Sequence, residues 1–130
     1  MGAKRCWEEF RVGPKRAEDE MHVTLNRKGE IMIGARAYER FGRTELAVLL
    51  YDCDNKTIGV LPVEAELTNS YPLIGKKNSP DGHRTIRANR FCRHHGIRVP
   101  GVTAFNKPLI EDGMLVLDTR NARVIGRVKE

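Results

Sequence analysis

Short apolar stretches separated by turn residues limit most strongly what this chain can fold into. His22 to Leu25, Glu30 to Ile33, Leu46 to Tyr51 and Thr57 to Val63 are each strand-sized, as are Tyr71 to Gly75, Arg84 to Ala88, Thr103 to Phe105 and Met114 to Leu117. Between them, Asn26-Arg27-Lys28-Gly29, Asp52 to Lys56, Asn78-Ser79-Pro80-Asp81-Gly82 and Glu111-Asp112-Gly113 have the composition of turns. Only two segments read as helix, and both are short. Ala35 to Phe41 is stopped by Gly42, and Asn89 to His95 is stopped by Gly96. The expectation is a mostly β protein with two short helices.

The order of these segments repeats. Residues 22–63 and 71–118 each read as strand, strand, short helix, strand, strand, with little identity of letters. A four-strand unit with a two-turn helix cannot close a core alone, because an isolated hairpin is marginal in water. The two units are therefore expected to interleave around one core, with Ile31, Ile33, Leu49 and Val60 facing Ile86, Phe91 and Leu115. Residues 1–21 read as a lead-in and charged linker, in which Trp7 is a packing anchor. Residues 119–130 form a tail that is either a last strand or disordered.

Charge separates the two units. The chain carries 23 Lys and Arg against 17 Asp and Glu, a net charge of +6. Through Ser70 there are 11 basic and 12 acidic residues, and beyond it 12 basic and 5 acidic. The excess is densest from Lys76 to Arg98, where Lys76, Lys77, Arg84, Arg87, Arg90, Arg93 and Arg98 meet only Asp81. Such clustering suits a phosphate-facing surface, since each cationic contact releases condensed counterions. A solvated basic face that merely keeps the protein soluble is the plainer alternative. Arg84 and Ala88 should lie on the opposite side of the pleat from Arg87, while Arg90 and Arg93, three apart, share a helix face.

Other chemistry is poorly represented. Cys92 and His95, with His94 and His83 nearby, form the one metal-like grouping, but no Cys-x-x-Cys or spaced histidine pair completes it. No phosphate-loop or dinucleotide motif is present, and Asp52 and Asp54 sit where a hairpin turn uses aspartate for backbone reasons. An enzyme, a metal, a cofactor and a small-molecule substrate are not expected. Tyr38, Phe41 and Phe91 read as core rather than as base-stacking platforms. No apolar run approaches the length of a membrane span. The opening residues lack the apolar region of a secretory signal. Three widely spaced cysteines suit a reducing compartment, so a cytoplasmic protein is expected.

Val23-Thr24-Leu25-Asn26-Arg27-Lys28-Gly29-Glu30-Ile31-Met32-Ile33, a helix ending Glu39-Arg40-Phe41-Gly42, and two further strands resemble the AbrB/SpoVT-type swapped-hairpin family. Residues 71–118 fit as a divergent second copy, an arrangement similar to MraZ-like proteins. The resemblance implies a barrel-like swapped-hairpin core and cytoplasmic oligomers that act as DNA-binding regulators or antitoxins. This chain departs from that pattern at Glu30, where the family carries Arg or Gln, and at Gly34, where it commonly carries Pro. The MraZ-type Asp-x-x-x-Arg signature is not evident. Within the resemblance, DNA contacts fall to the second copy through Lys76, Lys77, Arg84, Arg87, Arg90 and Arg93. Two copies in one chain imply a pseudo-dimeric protomer, able to form a homo-oligomer through an edge strand. The rival reading is a scaffold or protein-interaction module that kept the fold without binding DNA.

Overall fold

The computed structural model describes residues 21–75 and 82–125. In chain order they form β1 (Val23–Leu25), β2 (Glu30–Ile33), α1 (Ala35–Arg40), β3 (Leu46–Asp52), β4 (Thr57–Val63) and β5 (Ser70–Pro72). Then come β6 (Arg84–Arg87), α2 (Asn89–His95), β7 (Thr103–Phe105), β8 (Leu109–Glu111), β9 (Met114–Asp118) and β10 (Ala122–Val124). The described residues are mostly β with two short helices. The strands form two five-stranded antiparallel sheets, ordered β10-β7-β1-β2-β6 and β5-β3-β4-β9-β8.

Both sheets mix strands from the two halves of the chain. β2 pairs with β6, placing Ile31 opposite Ile86 and Glu30 opposite Arg87. β4 pairs with β9, placing Ile58 opposite Leu117 and Val60 opposite Leu115. The inward residues of both sheets join α1 and α2 in one apolar cluster. Ile31, Ile33, Val60, Ile86, Phe91 and Leu115 belong to it, with Leu49 packed against it. At roughly 1.5–3 kcal/mol per fully buried large aliphatic side chain, this shared layer is the main stabilising term. Neither half could keep it dry alone.

Three features of the second half differ from a copy of the first. The stretch expected as one strand from Tyr71 to Gly75 divides between the sheets. β5 pairs with β3, and two residues later Ile74 exchanges backbone hydrogen bonds with Thr85 of β6. β8 is an additional strand, closed onto β9 by Asp112 and Gly113, both at positive φ as a two-residue hairpin turn requires. The tail contributes β10, which covers the free side of β7. The two sheets are open, each with its own edge strands.

Gly34 sits where a proline could not. Its amide donates to the His22 carbonyl at 2.7 Å, and a Cβ there would lie 2.8 Å from that oxygen. Proline has no amide hydrogen to give. The helix ends follow the sequence expectation: Gly42 and Gly96 both take positive φ, at 93° and 66°.

Candidate nucleic-acid interface

The turn between β1 and β2 is built by Asn26. Its side-chain oxygen accepts from the amides of Lys28 and Glu30, both at 3.0 Å, while its amide nitrogen donates to the Glu30 carboxylate at 2.9 Å. Gly29 closes the turn at φ 82°. This wiring fixes Arg27 and Lys28 at the tip, both exposed, and occupies the nearest carboxylate.

The same turn lies directly on α2. A Cβ on Gly29 would come within 2.7 Å of the Asn89 Cα, so only glycine permits this approach. A cleft of about 310 Å³ opens between the turn, α2 and the loop after it. Arg27, Lys28, Arg93 and Arg98 line it together with Asn26 and Asn89, and among the described residues no carboxylate lines it. Cys92 forms part of the wall. Burial pushes its thiol up to about 11, so it stays protonated and contributes no negative charge.

The arginines named from sequence separate into two groups. Arg87 is exposed at the end of β6, and Arg90 and Arg93 are exposed on α2. Arg84 faces the other way, as strand alternation requires. Its guanidinium lies 4.5 Å from the centre of the Tyr38 ring and donates to the carbonyls of Gly82 and His83. Arg84 is thus packed between β6 and α1, on the opposite side of the strand from Arg87. Lys76 and Lys77 lie outside the described residues. Sequence reasoning missed Arg27 and Lys28 as site residues, because they belong to the half with no net positive charge and reach the cleft only through the contact of Gly29 with Asn89.

The other flank of α2 meets β3 through an exposed histidine. His95 packs against Tyr51 and Phe91, each with ring centres 4.8 Å away. Burial, and then the neighbouring His94, lowers the His95 pKa. Cys92 faces the cleft while His95 faces Tyr51. Among the described residues no three His, Cys, Asp or Glu side chains gather in a metal-holding group. Tyr38, Phe41 and Phe91 are all buried. Among the described residues no helix is long and apolar enough to cross a membrane. Comparisons with protein-family models, with curated proteins and with solved structures find no match to this chain.

Proposed function

We propose that the protein is a non-enzymatic DNA-binding protein, a regulator or antitoxin-like factor of swapped-hairpin type. The observation that carries this reading is the cleft of one charge sign. Arg27 and Lys28 come from one half of the chain and Arg93 and Arg98 from the other, and Arg87 and Arg90 are exposed on β6 and α2. Cations so placed suit the regularly spaced phosphates of a duplex, which fix position without reading sequence. The mixed strand pairing, β2 with β6 and β4 with β9, supports the swapped-hairpin part of the proposal. A cytoplasmic site of action is part of the same proposal.

The test is binding of a labelled duplex, followed by fluorescence anisotropy, across about 50 to 200 mM salt. If Arg27, Lys28, Arg87, Arg90, Arg93 and Arg98 each meet a phosphate, log affinity should fall against log salt with a slope of about −5. Absence of binding at the lowest salt, or binding indifferent to salt, would refute the proposal.

A further inference from the structure

The cleft beside α2 has room that a duplex cannot fill. DNA is broad and stiff, its major groove alone about 12 Å wide, so its phosphates meet only the mouth of a cleft of about 310 Å³. That volume matches the small end of ligand sites, roughly 300–1,000 Å³. Leu25 and Cys92 are buried in its wall, and Ile97 and Val99 are half-buried beside them. Arg27, Lys28, Arg93 and Arg98 stand exposed around this apolar surface. Among the described residues no carboxylate forms an ion pair with any of the four, and Glu30 is held by the Asn26 amide. A cleft lined by one sign of charge over low-dielectric walls focuses its field on whatever enters.

We propose that the cleft binds a condensed phosphate: two or more phosphates joined in a chain, free or as the tail of a nucleotide. Charge sets the number. One phosphate group carries about −1.5 to −2 near pH 7, and a guanidinium fork takes two of its oxygens. Four cations around one small volume call for about twice that charge. The phosphates of a duplex cannot supply it, because each carries a single charge and the stiff strand holds its neighbours apart. The chemistry of the lining excludes much else. Among the described residues it holds no aromatic ring on which a base could stack and no carboxylate to accept from ribose hydroxyls. Recognition therefore falls on the phosphates, with the exposed Asn89 side chain as a neutral donor beside the cations.

The same four cations cannot serve two ligands, so a bound condensed phosphate would displace DNA. That regulatory consequence rests on the DNA reading, whereas the binding itself does not. The helix also supplies its own control. α2 gives Asn89, Cys92 and Arg93 to the lining, but not Arg90, and Arg87 of β6 is outside it as well. Arg87 and Arg90 thus carry the same charge as Arg27 and Arg93 without lining the cleft.

Titration calorimetry on the full chain, at fixed ionic strength and without divalent cations, tests the proposal. The probes are inorganic phosphate, pyrophosphate, tripolyphosphate and adenosine triphosphate. Pyrophosphate should bind with saturation, at least about tenfold more tightly than phosphate. Arg27→Ala with Arg93→Ala should weaken it at least about tenfold, and Arg87→Ala with Arg90→Ala by less than about threefold. All four positions are exposed, so both variants should keep the circular dichroism of the native chain. Equal affinity for tripolyphosphate and adenosine triphosphate would support a free condensed phosphate as the ligand. Tighter binding of adenosine triphosphate would support the nucleotide tail. Equal binding of phosphate and pyrophosphate, no saturable binding, or equal losses from the two arginine pairs would overturn the proposal. No DNA enters the calorimeter, so a failure of the duplex titration leaves this result standing, and the reverse holds. Where both ligands bind, pyrophosphate should release labelled duplex at constant ionic strength.

Discussion

The two strand–helix corners, β2 with α1 and β6 with α2, occupy corresponding places on either side of the pairing between Ile31 and Ile86, yet one is neutral and the other strongly basic. In the first, Glu30 is tied to Asn26 and Arg36 lies 3.6 Å from Glu39 one turn along the helix. In the second, Arg87, Arg90 and Arg93 stand exposed with no acidic residue in β6 or α2. The same scaffold therefore holds one corner whose charges balance and one whose charges are all of one sign. The difference is made equally of carboxylates and arginines: Glu30 and Glu39 have no counterpart in the second corner, which carries four arginines where the first has Arg36 and Arg40.

The largest effect expected from breaking this asymmetry is on binding. Arg90→Ala with Arg93→Ala should remove about two counterions from the salt slope and weaken DNA binding roughly 50-fold near 0.1 M salt, uniformly across sequences. Anisotropy titrations would read both, and an unchanged slope would mean that α2 does not face the phosphates. Gly29→Ala sharpens the role of the turn. It combines positive φ with an approach to the Asn89 backbone, so it should cost about 2 kcal/mol by denaturant unfolding. Gly42→Ala, at φ 93° with nothing within 4 Å of the added carbon, should cost about 1 kcal/mol. Equal losses would argue against the close contact.

Arg84→Ala separates packing from binding within β6. Losing the stack on Tyr38 should cost about 1 kcal/mol of stability while leaving the salt slope intact. Arg36→Ala in the neutral corner should change stability by less than about 0.5 kcal/mol, since its ion pair is largely exposed, and should not change binding. The smallest effect concerns His95. Its pKa is lowered in the folded protein, so its neutral ring stabilises the fold fully above the usual histidine value of about 6.5. That contribution is lost as pH falls through the lower folded value, where the unfolded chain already holds the proton. His95→Gln should flatten the melting temperature between about pH 7 and pH 5; an equally steep profile would shift the effect to other groups.

The fold was largely legible because its local signals agree. Turn residues, strand alternation and glycine stops placed β1 to β4, β6, both helices, β7 and β9 close to where they are. β8 escaped because Leu109 and Ile110 are too few to show alternation, and the split of Tyr71 to Gly75 escaped because a strand changing sheets leaves the same apolar letters. The site was legible in part. Alternation separated Arg84 from Arg87, and helix spacing joined Arg90 to Arg93. The contribution of Arg27 and Lys28 depends on a turn meeting a helix some sixty residues further along the chain, and no local pattern carries a contact of that kind. The stack of Arg84 on Tyr38 is hidden for the same reason.

The mixed pairing of the sheets also sets a timetable for the newly made chain. When Val63 has been synthesised, β3 and β4 can close as a hairpin, but the side of β4 that will receive β9 is still bare. Val60 must wait for Leu115, a delay of roughly 3 to 11 s at about 5–20 residues per second of translation. Throughout that interval Ile58 and Val60 flank an open backbone edge able to capture a strand from another nascent chain. Polysomes crowd such edges together, so this protein should rely on chaperone shielding of its first half in proportion to how slowly its second half is translated.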